Sequence, residues 1–389
     1  MRPARQDAGL APSAGPSHGP FELTGRDPSS SARRGRLWTG HGPVETPAFM
    51  PVATQGTVKG VLPQQLAELG AQIILANAYH LSLRPGVDVI ARLGGLHRFM
   101  GWDGAILTDS GGYQILSLAP LRKVSDEGVQ FRSHLDGTLL FLTPEDVVRL
   151  QCQLGVDVLM PLDECLAAGA ERGAVEEAMR RTLAWAVRSI REPLPPDRLL
   201  FGIVQGGLFG ELRRAHAAQL AALGFPGYAV GGLSVGEERG VTHEIAAVTA
   251  AALPVDRPRY LMGVGLPEDL LRFIGMGYDM FDCVLPTRNG RNGTFFTWSG
   301  RVNIRRAGYA TDPRPIDPEC GCSICRTFAR AYLRHLAVAG EMLGAQAATL
   351  HNLHFYLDLM GQARAHLTAG DFTPWAQERI AQLEQGDAE

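Results

Sequence analysis

The chain has 389 residues, 45% of them hydrophobic and 20% charged, an ordinary balance for a soluble globular protein and enough length for two domains or for one barrel of about 250 residues with insertions. No apolar run approaches the ~20 residues of a membrane helix, which excludes a helical membrane span. A net charge of −3 excludes a global positive field, so any nucleic-acid site has to be a local patch.

Residues 1–34 read as an N-terminal extension. The first stretch is rich in Ala, Pro, Ser and Gly and lacks the apolar centre of a secretory signal. Arg2 and Arg5 fit a transit peptide, but Pro12, Pro16 and Pro20 argue for a disordered tail. The folded domain is expected over 35–389.

Short apolar runs then alternate with helical patterns. Strands are expected at Pro47–Ala53, Gln72–Ala78, Ala105–Thr108, Val156–Leu162, Leu199–Val204, Tyr228–Leu233, Arg259–Gly263 and Met280–Val284. Amphipathic helices are expected at Val61–Leu69, Glu145–Leu154, Val175–Glu192, Gly210–Leu223, Val241–Ala252 and Glu268–Gly275. Continuous apolar strands alternating with helices imply a parallel sheet buried on both faces. Eight such units predict an α/β fold, a (β/α)8 TIM barrel. A doubly wound open sheet is the alternative, but no dinucleotide-binding glycine fingerprint follows the first strand.

Two insertions interrupt the pattern. Within about 114–143, Val129-Gln-Phe131 and Leu139-Leu-Phe141 flank Asp136-Gly137, a hairpin signal. Residues of about 285–351 follow strand eight and hold Cys320-Gly-Cys322-Ser-Ile-Cys325 and, further on, His351. Three thiolates and one imidazole close a tetrahedral sphere, the ligand set of a structural zinc with no open position for water. His351 is expected to open or precede a closing helix at His354–Ala365. The six cysteines, three of them in this cassette, point to a reducing, cytoplasmic compartment with a metal rather than disulfides.

The strand ends carry polar groups, and barrel enzymes place their sites there. Strand three ends in Asp109-Ser110-Gly111-Gly112-Tyr113-Gln114, strand four in Asp163-Glu164-Cys165 and strand five in Gln205-Gly-Gly. Strand six ends in Gly231-Gly232-Leu233, strand seven in Gly263-Val264-Gly265 and strand eight in Asp282-Cys283. A lone Asp at such a junction is as readily a helix cap. Three converging on one mouth suit a nucleophile and an acid/base at an anomeric carbon. The amide and remaining carboxylate suit the edge of a heterocycle, and Tyr113 a stacked base. Between Thr287 and Arg306 lie Arg288, Arg291, Arg301, Arg305 and Arg306, with aromatics and no acidic residue, a local signature of RNA contact.

Asp109-Ser-Gly-Gly-Tyr-Gln, Asp163-Glu-Cys165, Gly202-Ile-Val-Gln205-Gly, Gly231-Gly-Leu-Ser-Val-Gly-Glu237, Gly263-Val-Gly, Phe281-Asp282-Cys-Val-Leu-Pro-Thr-Arg and Cys-x-Cys-x-x-Cys…His together resemble the queuine tRNA-ribosyltransferases, the tRNA-guanine transglycosylases, from about Gly35 to Ala365. The resemblance implies exchange of guanine at wobble position 34 of GUN-anticodon tRNAs for a 7-deazaguanine base. It implies Asp282 as nucleophile and Asp109 as proton acceptor. Asp109, Ser110, Gly111, Gly112, Tyr113, Asp163, Gln205 and Gly232 would hold the base. Gly263, Val264, Gly265, Leu266, Pro267, Glu268 and Asp269, with Thr287, Arg288, Asn289, Gly290 and Arg291, would contact the tRNA anticodon loop. One structural zinc per subunit would sit on Cys320, Cys322, Cys325 and His351, and the protein would be a homodimer. Cys165, Val235 and a chain that ends soon after the closing helix resemble the bacterial form, which inserts 7-aminomethyl-7-deazaguanine. Leu266 stands where family members often carry a polar or basic residue. A non-catalytic RNA-binding paralogue would have lost the aspartates, an archaeal-type enzyme would carry an added RNA-binding domain, and a generic glycosidase leaves the cysteines unexplained.

Overall fold

The computed structural model of the protein describes residues 19–112 and 122–386. Three antiparallel strands come first, β1 (Phe21–Arg26), β2 (Arg33–Thr39) and β3 (Gly42–Thr46). Ordered structure therefore begins within 1–34, the segment set apart as an extension; residues 1–18 lie outside the described residues.

The parallel strands follow: β4 (Ala48–Ala53), β5 (Ile73–Asn77) and β6 (Ala105–Asp109). A three-stranded insertion comes next, β7 (Arg122–Val124), β8 (Val129–Arg132) and β9 (Leu139–Leu142). The barrel resumes with β10 (Val158–Leu159), β11 (Leu199–Leu200), β12 (Gly202–Val204), β13 (Tyr228–Val230), β14 (Arg259–Leu261) and β15 (Met280–Cys283). Their order is β11-β10-β6-β5-β4-β15-β14-β13-β12. The two ends of that row are halves of one run, Leu199–Val204. Phe201 N–H donates to the Leu159 carbonyl on one side and Gly202 N–H to the Gly227 carbonyl on the other, so the run joins both neighbours and the eight expected strands form the barrel.

Local sequence explains the helices between them. Thr143 caps helix Pro144–Leu154, and Asp146 returns the bond to the Thr143 N–H. Pro144 occupies the first turn, and Gly155 ends the helix in the left-handed region at φ +74°. Expected helices agree to within a few residues, and Val129–Arg132 pairs with Leu139–Leu142 as the Asp136-Gly137 signal predicts.

The barrel interior is apolar: Met50, Leu75, Leu107, Met160, Ile203 and Met280 are buried together with Phe21, Leu37 and Val44 of the first sheet. The first sheet therefore plugs the N-terminal end and leaves the opposite mouth open. At the plugged end the buried Asp157 carboxylate accepts from His41 Nδ1 (2.8 Å), His97 Nε2 (3.1 Å) and Ile106 N–H (2.8 Å), with Arg198 at 3.7 Å. Burial pushes this carboxyl up, but the imidazole donors outweigh it and hold it well below the usual range. Both oxygens are taken by donors, so the group latches the plug.

One expectation needs correction. The closing helix runs from Met342 to Ala369, so His351 sits in its interior rather than at or before its start. The helix is buried on most sides, so it lacks the one-sided apolar stripe that marks a surface helix. Between β15 and this helix lie helix Leu285–Arg291, the hairpin β16 (Thr294–Thr297) and β17 (Gly300–Asn303), and helices Ser323–Thr327 and Arg330–Ala339. Among the described residues no helix is long and apolar enough to cross a membrane.

Candidate active site

The C-terminal strand ends bring Asp109, Asp163, Gln205, Gly232, Gly263 and Asp282 around one cavity of about 330 Å³, within the range of small-ligand sites. Asp282 projects from β15. Its Oδ1 accepts from Tyr260 O–H (2.6 Å) and Gly263 N–H (2.8 Å). Among the described residues both bonds to this carboxylate go to one oxygen, Oδ1, and the side chain lines the cavity. Burial raises the Asp282 carboxyl, and the two donors oppose that rise. Tyr260 stays a neutral phenol, because burial and the adjacent Asp282 push it well above its ordinary value. Tyr260 escaped the sequence reading. Its only signal was a hydroxyl in an apolar strand.

Asp163 stands on one wall of the cavity. The residue is 8% exposed, and Oδ2 accepts from Gln205 Nε2 at 2.7 Å. Burial first, with repulsion from Asp109 and Glu164, pushes its carboxyl up to about 7, and the Gln205 bond only partly offsets this. The folded chain thus binds this proton more tightly than the unfolded one. The group's contribution to stability is present below about pH 4 and is lost as pH rises toward 7. A ligand that donates N–H bonds selects the carboxylate, so its capture releases a proton in the same window. We expect the KM for a purine with such a donor edge to fall as pH rises from about 6 to about 8. A KM for that ligand independent of pH would remove Asp163 from its binding.

Asp109 ends β6, where Asn77 Nδ2 lies 3.4 Å from its Oδ2. Ser110, Gly111 and Gly112 are buried beside it. Gly112 must be glycine, because a Cβ there would stand 2.6 Å from Asp163 Oδ1. Gly111, at φ +89°, would set a Cβ 2.3 Å from that of Tyr79. Tyr113 lies outside the described residues.

The expected RNA segments divide. Arg288 and Arg291 are exposed on helix Leu285–Arg291, with Arg288 on the cavity rim. Asn289 is half-buried. Thr287 and Gly290 are buried, and a Cβ on Gly290 would lie 2.9 Å from the Thr349 nitrogen, so the glycine allows this helix to sit on the closing one. Gly263 is exposed and Leu266 half-buried, whereas Val264, Gly265, Pro267, Glu268 and Asp269 are buried. Asp269 accepts from Arg239 (2.8 Å) and His243 (2.6 Å), and Arg239 also reaches Glu268 at 3.1 Å. The structure does not bring those two carboxylates to the mouth. They occupy the first helical turn, where they complement the helix dipole.

Cys320, Cys322, Cys325 and His351 come together with all ligand atoms within 4.8 Å of one another. The His351 Nδ1 is 3.8, 3.5 and 3.3 Å from the three sulfurs in turn. Tetrahedral coordination with metal–sulfur and metal–nitrogen bonds near 2.3 and 2.0 Å sets that edge at about 3.5 Å. His351 Nε2 donates to the Phe296 carbonyl at 2.8 Å, which turns the Nδ1 lone pair to the sulfurs. The residues fit a metal ion.

Comparison with known proteins gives one answer. A family model described as queuine tRNA-ribosyltransferase matches residues 27–385. The queuine tRNA-ribosyltransferase of Solidesulfovibrio magneticus is 54% identical over 359 residues, covering 92% of this chain and 96% of the relative. Those of Symbiobacterium thermophilum (51% over 370 residues, 95% and 92% covered) and Moorella thermoacetica (53% over 350, 90% and 94%) are similarly alike.

Proposed function

The chain belongs to the queuine tRNA-ribosyltransferase family, and on that premise we propose that Asp282 and Asp109 exchange the wobble guanine of GUN-anticodon tRNAs for 7-aminomethyl-7-deazaguanine by double displacement. The protein is a pentosyltransferase, a tRNA-guanine transglycosylase of queuosine biosynthesis. The observation that carries the mechanism is the arrangement of one cavity. A carboxylate whose bonds among the described residues all go to one oxygen, Asp282, shares it with Asp109 and with the Asp163–Gln205 pair.

Asp282 Oδ2 attacks the ribose anomeric carbon of the target nucleotide. The bond from that carbon to the base nitrogen breaks, and its electron pair leaves with guanine, whose nitrogen takes a proton from Asp109 and so leaves Asp109 as the carboxylate. A ribosyl ester joins enzyme and RNA. The incoming base then loses its ring proton to Asp109, its nitrogen attacks the same carbon, and the ester electrons return to Asp282. Two inversions retain configuration. The target nucleotide leaves the anticodon stack to reach the mouth, which a single-stranded loop permits cheaply. Val235 lines the cavity, and Glu237 holds the Ser234 and Val235 N–H groups. That wall suits a small aminomethyl substituent.

The metal proposed for the Cys320, Cys322, Cys325 and His351 group is one structural zinc per subunit. When bound it supplies a crosslink and no open site for chemistry. Homodimer formation in the cytoplasm completes the proposal. Exposed Tyr332, Val338, Met342 and Leu343 beside the thiol module are surface a second copy would cover.

The deciding test is radiolabelled guanine exchange into unmodified tRNA, with and without the 7-aminomethyl base as competitor. No exchange would sink the proposal. Specificity is checked separately. Asp163→Asn puts an NH2 where the base presents donors and leaves a buried mismatch of roughly 1–3 kcal/mol. Its guanine KM should rise about tenfold or more. An unchanged KM would rule out the role given to Asp163.

A further inference from the structure

Helix Gly210–Ala222 carries Arg213 and His216 one turn apart, directly behind the ends of β12 and β13. Arg213 is completely buried, and among the described residues its bonds all go to backbone carbonyls. Nε donates to Gly207 (2.9 Å), Nη1 to Val204 (3.2 Å) and Gly231 (2.7 Å), and Nη2 to Gly232 (3.1 Å). A cation buried without a carboxylate is costly. Burial lowers its pKa only to about 10, so it remains charged at neutral pH. Nothing in the proposed chemistry uses it.

Its position gives the reason. Gly231 and Gly232 line the base cavity, whereas Arg213 lies behind them. In a trans peptide the carbonyl of one residue and the N–H of the next point in opposite directions. Drawing the Gly231 carbonyl back onto Arg213 therefore turns the Gly232 N–H toward the cavity. The Gly231-Gly232 turn also bears on Gln205, since a Cβ at Gly232 would stand 2.5 Å from Gln205 Oε1. Gln205 N–H in turn donates to His216 Nδ1 at 2.9 Å. Burial pushes His216 down to about 4, so it is neutral and able to accept.

We infer that Arg213 is a positioning residue for base recognition: by holding the Val204, Gly207, Gly231 and Gly232 carbonyls it aims the Gly232 N–H at the base's ring carbonyl oxygen, beside the donor edge read by Asp163. This rests on the base site proposed above. The fixed charge behind that peptide also strengthens the N–H as a donor in a low-dielectric site.

The test compares wild type with Arg213→Lys, which keeps the charge but not the fork, and with Arg213→Met. Thermal stability and tRNA affinity are measured first. Then come the KM for guanine and the inhibition constant of 2-aminopurine, which lacks the ring carbonyl, as competitor of guanine exchange. In Arg213→Lys the guanine KM should rise about tenfold while the 2-aminopurine constant and tRNA affinity hold, so discrimination between the bases narrows. Equal loss for both bases, or unchanged discrimination, would overturn the inference. If Arg213→Met does not fold, Arg213→Lys decides alone. Absence of guanine exchange in wild type would instead defeat the underlying function.

Discussion

Asp282→Asn should lose guanine exchange by about four orders of magnitude or more and yield no covalent enzyme–RNA adduct on denaturing gels. The substitution is chosen because the asparagine oxygen still accepts from Tyr260 and Gly263, the two donors that fix Asp282 Oδ1. The fold and the mouth are kept, and the anionic oxygen that must form the ester is removed. An amide oxygen is a poor nucleophile, and Asp109 and Asp163 reach the cavity from other strands. Affinity for tRNA should fall much less, because phosphate contacts dominate it. We assign those contacts to Arg288 and Arg291, which are exposed. An adduct that still formed in this variant would move the nucleophile elsewhere. Exchange and tRNA binding lost in parallel would make Asp282 a structural residue.

The parts of this site that could be seen in the sequence share one physical property. Parallel strands buried on both faces are continuous apolar runs, so a carboxylate at the end of one, such as Asp282 after Met280-Phe281, breaks an otherwise uniform pattern. Asp109, Asp163 and Gln205 stand out for the same reason. Tyr260 and Arg213 did not, because their roles depend on which strand lies beside which. Tyr260 pairs with Met280 in register, which brings its hydroxyl to Asp282 two residues on. Arg213 looks like any helical arginine until the ends of β12 and β13 are seen to meet over it. The first sheet was hidden by composition. Phe21 and Leu23 face inward while Glu22, Thr24 and Arg26 face solvent, a period-two pattern in a region that otherwise reads as a tail. Glu268 and Asp269 joined the expected RNA segment through adjacency. They follow the exposed Gly263 closely in sequence, but the turn of the helix buries them against Arg239 and His243.

The second large effect concerns the metal group. Cys322→Ala should lose the bound zinc, destabilise the chain by on the order of 4 kcal/mol or more, and weaken tRNA binding. The three cysteines come from the segment after β17 and His351 from the closing helix, so the ligand set spans two parts of the chain far apart in sequence. Binding energy at such a closed site is largely folding energy. The effect reaches the proposed RNA surface through the next residue. Asn352 donates to the Pro286 and Thr294 carbonyls (2.9 and 3.0 Å) and accepts from Phe296 N–H at 2.9 Å. His351 holds the Phe296 carbonyl. Helix Leu285–Arg291, with Arg288 and Arg291, is therefore anchored to the same turn of helix that carries the metal ligand. When that turn loosens, two phosphate contacts should go, and the salt dependence of tRNA affinity should become shallower by about two units. Metal analysis, thermal melting and tRNA titration at several salt concentrations read the three effects. Full stability and tRNA affinity with only the turnover rate reduced would mark a metal that takes part in the chemistry, and a stable, active preparation free of zinc would show that these four residues bind none.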